Sequence, residues 1–76
     1  MPHIVIKMIS GPFGQLKRKT AEAVASALIS SLEVDETSVS VVIEDIGQGE
    51  WTEKVYEPDI AGKPDTLYKK PSYAPV

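Results

Sequence analysis

The chain has 76 residues, a net charge of −3 and no cysteine, which predicts one small domain and excludes disulfides, thiolate metal sites and cysteine nucleophiles. The acidic balance disfavours nucleic acid as a partner, because binding to phosphates needs a cationic surface. We expect no metal, since His3 is the only histidine and no His, Asp and Glu cluster has ligand spacing. We expect a soluble, cytoplasmic protein without membrane contact, because the sequence shows neither a secretory signal nor about 18 consecutive apolar residues.

The first half of the chain begins with a strand signal and continues with a helix signal. Residues 3–9, HIVIKMI, are apolar and β-branched and predict a strand with Ile4, Ile6 and Met8 on one face. The glycines and proline of SGPFG then predict a turn. Residues 15–32 predict a helix, because apolar and small side chains recur at helical spacing. The predicted inner positions of this helix are Leu16, Thr20, Val24, Ala27, Leu28 and Leu32.

A second strand signal follows the helix. Residues 38–46, SVSVVIEDI, alternate and place Val39, Val41 and Ile43 on one face. A strand, a long helix and a strand form a βαβ unit, whose crossover predicts parallel strands. These elements alone do not close a core, and the back face of the sheet stays apolar at Val5 and Ile9. We therefore expect a second copy to cover it, related by a two-fold axis.

Residues 47–76 differ in composition from this 1–46 core of the same single domain. They contain four of the six prolines, all three tyrosines and the only tryptophan, Trp51. The sequence predicts a short helix from Trp51 to Tyr56, ended by Pro58, and then an irregular tail that docks on a partner subunit. Trp51 is interpreted as a packing anchor, with one wall of an apolar pocket as its functional alternative.

The loop before the helix resembles a phosphate-binding loop only in outline. Gly14 is followed by Gln15 and Leu16, whereas a phosphate loop needs lysine and then serine or threonine directly after its glycine. Nucleotide binding is therefore disfavoured. The basic run at residues 17–19 is interpreted as a solvated face, with attraction of a substrate carboxylate as the alternative.

Two residues at the start of the chain are considered for chemistry. Removal of Met1 leaves Pro2 with a secondary amine, a base fixed at the end of a strand. Such an amine works near neutral pH when burial or nearby cations destabilise its cation. The plainer interpretation is that proline is tolerated as the first residue of a strand, where its missing N–H breaks no ladder bond. His3 is interpreted as a packing or capping residue, because the sequence shows no partner for a catalytic dyad.

Together these features resemble the oxalocrotonate tautomerase family. The resemblance rests on Pro2 behind the initiator methionine, the strand PHIVIK, the long helix, the strand TSVSVVIED and an aromatic residue shortly after it. KKPSY at residues 69–73 is similar to the long-tailed subgroup typified by the bacterial phenylpyruvate-type tautomerase. The resemblance implies an α/β fold in which two βαβ protomers form a four-stranded sheet with the helices on one face. It also implies that Pro2 is the general base and that Trp51 is an aromatic wall of the pocket.

Two arginines that hold a dicarboxylate in that family are missing from this sequence. Their positions fall on Pro12 and Ser40, while the only arginine, Arg18, lies inside the predicted helix. A donor for the developing oxyanion is then expected among backbone N–H groups, Ser40, Lys7 and Lys17. A lysine in this role acts only as a point charge. An aryl pyruvate enol is therefore a more reasonable substrate than a dicarboxylate.

The leading prediction is a cofactor-free keto–enol tautomerase, an isomerase that acts on a 2-keto acid or its enol with Pro2 as the base. One alternative is a hydratase or dehalogenase in which Pro2 is a general acid and Glu44 or Asp45 activates water. Another is a non-catalytic βαβ oligomer that serves as a binding or assembly module. The resemblance implies a homodimer, with a trimer of dimers as the alternative. If Met1 is retained, the Pro2 nitrogen is an amide without a basic lone pair.

Overall fold

The structure is a computed structural model in which residues 1–73 are described. Strand β1 spans His3–Ile9, helix α1 spans Lys17–Leu32 and strand β2 spans Ser40–Ile46. The two strands are parallel neighbours in one sheet. The predicted βαβ protomer is therefore confirmed.

The chain divides into two compact units, which are described separately below. The βαβ unit is Met1–Asp45, and the second unit begins at Ile46. The sequence places the corresponding change of composition one residue later, between residues 46 and 47. No helix within residues 1–73 is long and apolar enough to cross a membrane.

The second strand begins two residues later than predicted, at Ser40 rather than at residue 38. The cause is a 3-10 turn at Glu36–Ser38, which Asp35 caps. The Asp35 carboxylate accepts hydrogen bonds from the backbone N–H and the hydroxyl of Thr37, both at 3.1 Å. These local bonds compete with extension of the strand toward the helix.

The inner face of α1 is rotated relative to the predicted one. Val24 and Leu28 are half-buried as predicted, whereas the predicted positions Leu16, Thr20, Ala27 and Leu32 are exposed. The observed half-buried apolar stripe consists of Ala21, Val24, Ala25, Leu28 and Ile29. These positions follow the i, i+3, i+4, i+7, i+8 spacing of a helix with one covered face. Two of its five members, Ala21 and Ala25, are small.

One face of the sheet is covered and the other is open. The covered face consists of the alternating half-buried residues Ile4, Ile6 and Met8 of β1 and Val41 and Ile43 of β2. Ala21 of α1 lines a shallow cavity of about 500 Å³ together with Val41 and Ile43, so the helix lies on this face. On the open face, Val5 is 46% and Val42 is 39% exposed. No side chain of Met1–Asp45 is buried, and the single buried residue among residues 1–73 is Val55.

The helix after Trp51 differs from the predicted one in length and type. A π-helix spans Thr52–Ala61 and runs through Pro58, so the prediction of a short helix ended by that proline is wrong. A π-helix joins residues five apart rather than four. The wider turn accommodates the proline ring, which in an α-helix clashes with the carbonyl four residues earlier. The helix ends at Gly62, whose N–H donates to the carbonyl of Glu57 at 2.8 Å.

Beyond the π-helix the second unit contains a 3-10 turn, Pro64–Thr66. Residues 67–73 form no helix or strand. The predicted irregular tail extends through residues 74–76, which lie outside the described residues. Docking of this tail on a partner subunit stays a prediction.

Candidate active site

The amino-terminal ends of the two strands bring Pro2 and Ser40 together. The backbone N–H of Ser40 donates to the carbonyl oxygen of Pro2 at 3.3 Å. Neighbouring strands lie about 4.8 Å apart, so Ser40 is one strand spacing from the proline. Pro2 is half-buried, and Met1 in front of it is fully exposed. Of the residues predicted for the site within the βαβ unit, Ser40 is thus the one beside Pro2.

His3 has a hydrogen-bond partner on the neighbouring strand. Its Nδ1 atom lies 2.6 Å from the Oγ atom of Ser40, a contact that agrees with the interpretation of His3 as a capping residue at the end of the sheet. The two residues are 37 positions apart, and their contact depends on the register of the strands. The predicted βαβ unit does indicate that these two residues are close, because His3 and Ser40 begin parallel strands and the first residues of such strands lie at the same end of a sheet.

Lys17 lies at the opposite end of the sheet. It begins α1, after the carboxyl end of β1, and its Nζ atom is 2.5 Å from Oδ2 of Asp45 near the end of β2. Strands rise about 3.3 Å per residue, so the backbones of Asp45 and Ser40 are about 17 Å apart. Within one protomer the structure does not bring Lys17 to Pro2. Its charge is instead matched by the Asp45 carboxylate.

Lys7 and Glu44 are also distant from the start of the sheet. Lys7 is five residues after Pro2 on β1, and Glu44 is four residues after Ser40 on β2. The strand rise separates these pairs by about 13–17 Å along the backbone. Neither carboxylate proposed to activate water, Glu44 or Asp45, therefore lies beside Pro2 within the βαβ unit.

Trp51 lies in the second unit as part of an aromatic cluster, defined here as Trp51, Tyr56 and Tyr73. The indole Nε1–H donates to the hydroxyl oxygen of Tyr73 at 2.9 Å. The rings of Tyr56 and Tyr73 have centroids 5.8 Å apart and are tilted by 53°, a favourable arrangement for aromatic pairs. The cluster joins the end of the described tail to the π-helix and holds the indole ring. Tyr73 is 22 residues from Trp51 in the sequence, and no local pattern predicts this contact.

Glu50 precedes the indole in sequence and is paired with Lys54. Their side chains approach to 2.6 Å across one helical turn. The hydrogen bond and the charge of Lys54 lower the pKa of Glu50, and Glu50 in turn raises the pKa of Lys54. Glu50 is therefore ionised at neutral pH and has no proton to donate.

The proteins whose sequences are similar to this chain are named tautomerases. No family model matches the chain. A probable tautomerase of Xylella fastidiosa is 37% identical over 73 residues, which cover 96% of this chain and 89% of that protein. Tautomerase PptA of Pectobacterium carotovorum is 35% identical over 75 residues, covering 97% of this chain and 99% of that protein. Tautomerase PptA of Cronobacter sakazakii is 30% identical over 74 residues, with 96% and 97% covered.

The similarity to these tautomerases covers 96–97% of the chain and shows an isomerase, as predicted. The chain belongs to the tautomerase family, and its match to the PptA proteins includes the long tail. The resemblance inferred from the sequence is thereby confirmed.

Proposed function

We propose that this tautomerase interconverts the enol and keto forms of a 2-keto acid, with the Pro2 amine as its general base after loss of Met1. The observation that supports this most directly is the place of Pro2. It stands immediately before β1, and the N–H of Ser40 holds its carbonyl. An amine at this point is part of the backbone and is fixed by the sheet. No cofactor is required, because the reaction only moves a proton.

In the proposed reaction the Pro2 nitrogen takes the proton of the enol hydroxyl, and a proton is delivered to the carbon at the other end of the enol. One O–H bond breaks, one C–H bond forms and the product is the ketone. In the reverse direction the amine takes a proton from the carbon next to the ketone. The charge that develops on oxygen needs a hydrogen-bond donor placed close to the base.

Ser40 is the best placed of the candidate donors for this oxygen. It lies one strand spacing from Pro2, whereas Lys7 and Lys17 belong to distant parts of the same unit. A hydroxyl is a neutral donor, which suits one oxygen better than the two carboxylates of a diacid. An aryl pyruvate enol is therefore the substrate that we propose, and Trp51 is proposed as the aromatic wall for its ring.

We further propose a homodimer in which a second protomer extends the sheet to four strands. Two facts support association. The βαβ unit has no buried side chain, and its open sheet face exposes Val5, Ile9 and Val42. Tyr68 of the tail is 96% exposed and offers apolar surface for docking on the partner. Light scattering at micromolar concentration is expected to give a dimer. A monomer contradicts the proposal, and a hexamer supports the trimer of dimers instead.

The test of the base is the ketonisation rate of phenylpyruvate enol with protein whose loss of Met1 has been verified by mass spectrometry. The rate is expected to exceed that of buffer and to be lost in Pro2→Ala. Ser30→Ala is the matched control, since Ser30 is an exposed residue of α1. A preparation that retains Met1 is expected to be inactive, because its Pro2 nitrogen is an amide. Equal rates for the processed protein and Pro2→Ala refute the proposed role of Pro2.

A further inference from the structure

We infer that Tyr68 of each protomer inserts into a pocket of the other protomer's second unit, so that two identical contacts join the two tails. This inference rests on the proposed homodimer, which supplies the second copy. The pocket, called the tail pocket below, is open to solvent and has a volume of about 210 Å³. Apart from one lysine, its lining residues are apolar or aromatic: Tyr56, Ile60, Ala61, Pro64, Leu67 and Pro71.

The volume of the tail pocket suits one aromatic ring. Pockets that bind drug-sized molecules enclose about 300–1,000 Å³, whereas an apolar cavity of about 150 Å³ holds benzene. A phenol ring therefore fits into the space of about 210 Å³, and a larger ligand does not. Tyr56 in the wall offers such a ring an aromatic partner.

Tyr68 is the aromatic side chain available to fill this pocket in a second copy. It is 96% exposed, more than any other large apolar side chain of residues 1–73 except Met1. The chain bends at Tyr68 and Lys69, directly after Leu67, which lines the pocket. Exposed aromatic side chains that fill a pocket of a partner are the residues that contribute most to protein interfaces.

The closeness of Tyr68 to the tail pocket determines the symmetry of the contact. When an anchor and its pocket lie on distant surfaces, the contact repeats from copy to copy and forms a ring or a filament. Here both belong to residues 56–71, so a two-fold axis lets each Tyr68 enter the pocket of the other copy and closes the assembly as a dimer. This segment contains three acidic and three basic residues, so two copies of it approach without net repulsion.

The charged side chains around the pocket suit this reciprocal contact. Two lysines, Lys69 and Lys70, directly follow Tyr68. Two carboxylates, Glu57 and Asp65, each adjoin in sequence a residue that lines the pocket. None of these four side chains has an ion-pair partner within the described part of the chain. Entry of Tyr68 brings the lysines of one copy toward the carboxylates of the other, which is the charge complementarity that an interface between proteins needs.

The first test measures contacts between two chains by NMR. Isotope-labelled and unlabelled protein are mixed so that dimers with one chain of each kind form, and nuclear Overhauser effects between the two kinds of chain are selected. These effects are expected between the Tyr68 ring and the methyl groups of Ile60, Ala61 and Leu67 of the partner subunit. Tyr68→Ser is expected to lack them. It leaves the protomer folded, because Tyr68 is exposed there.

The second test measures the dissociation constant of the dimer by sedimentation, in a urea concentration at which the original dimer begins to dissociate. Tyr68→Ser is expected to raise this constant about 100-fold or more, because an anchor worth about tenfold or more is lost at each of two contacts. Tyr68→Phe keeps the ring and is the matched control, expected to dimerise as the original protein does. A constant for Tyr68→Ser that equals that of Tyr68→Phe overturns the inference.

A mixture of two variants tests the reciprocity of the contacts. Ala61→Phe fills the tail pocket and keeps Tyr68, so it is expected to dimerise as weakly as Tyr68→Ser. Circular dichroism establishes that the variant is folded. A mixed dimer of Ala61→Phe and Tyr68→Ser keeps one of the two contacts, and its dissociation constant is expected to exceed the original one only about tenfold. A mixed dimer as weak as the dimers of the single variants refutes the reciprocal arrangement.

The possible failures are distinguishable. A protein that is monomeric in light scattering refutes both the proposed homodimer and the docking of Tyr68. Effects between chains that involve other residues but not Tyr68 refute the docking alone, and the homodimer stands. A filament that Tyr68→Ser abolishes refutes the two-fold arrangement. The proposed role of Pro2 is decided separately by the ketonisation rates of the processed protein and Pro2→Ala.

Discussion

The hydrogen bond from the Trp51 indole to Tyr73 gives a prediction that is independent of activity. Tyr73→Phe removes the hydroxyl that accepts the bond at 2.9 Å and keeps the ring that packs on Tyr56. The variant is therefore expected to loosen the aromatic cluster without unpacking it. The part of the chain affected is the end of the described tail, where it meets the π-helix.

The size of the effect follows from the chemistry and exposure of this bond. A neutral hydrogen bond contributes about 0.5–1.5 kcal/mol to stability, and Tyr73 is 47% exposed. Water competes at such a site, so the lower half of the range, about 0.5–1 kcal/mol, applies. This free energy corresponds to an increase of about two- to fivefold in the opening of the tail. Tyr73→Leu also removes the ring contact and is expected to add about 0.5–1.5 kcal/mol.

The assay is hydrogen exchange of the Trp51 indole N–H, which is a single NMR signal because the chain has one tryptophan. Exchange is expected to be about two- to fivefold faster in Tyr73→Phe and faster again in Tyr73→Leu. Tyr68→Phe is the matched control, since Tyr68 lies on the same tail and is 96% exposed. An indole exchange rate in Tyr73→Phe that equals the original rate shows that the bond does not hold Trp51.

Three further predictions concern the ends of the helices. Glu33 has a left-handed backbone with φ of 55° at the end of α1, a conformation that glycine adopts without steric cost. Glu33→Gly is therefore expected to raise the free energy of unfolding by about 0.5–1 kcal/mol, measured by urea unfolding. An unchanged or lower urea midpoint contradicts this prediction. In Gly62→Ala the new Cβ lies 2.7 Å from the Glu57 carbonyl oxygen, and the free energy of unfolding is expected to fall by about 1–3 kcal/mol. Gly49→Ala is the control, because its new Cβ has no atom within 4 Å. Because Lys54 lowers the pKa of Glu50, their pairing stabilises the folded state at pH values above the ordinary carboxyl pKa of 4.5, and this contribution is lost as the pH falls through the pKa of Glu50 in the folded state. Removal of the Lys54 charge is expected to raise the pKa of Glu50, which carboxyl NMR measures as its titration midpoint.

The βαβ core was predictable because its signals are local. The alternation of Ile4, Ile6 and Met8 specifies a strand with one covered face, and the spacing of Val24 and Leu28 specifies a helix. Burial at the two ends of helix α1 was less predictable. Leu16 and Leu32 fit the helical period, yet they lie at the limits of α1, where the sheet no longer covers them.

The features that were missed depend on contacts between distant residues. The bond between His3 and Ser40 requires the register of two strands, which one sequence specifies only through the whole fold. The helix through Pro58 breaks a rule that holds for α-helices, because its hydrogen bonds follow the π pattern. The contact of Trp51 with Tyr73 spans an irregular segment, for which no periodicity predicts the path of the chain.

The backbone bond between Ser40 and Pro2 has a consequence for the entropy of the proposed base. A lysine amine reaches its substrate through several rotatable bonds, and freezing such a side chain costs up to about 2 kcal/mol. The amine of an amino-terminal proline belongs to a closed ring on the main chain, so no side-chain torsion separates it from the sheet. The Ser40 N–H fixes the carbonyl of the same residue. A chain with so small a core can thereby hold a base in position with one strand and one hydrogen bond.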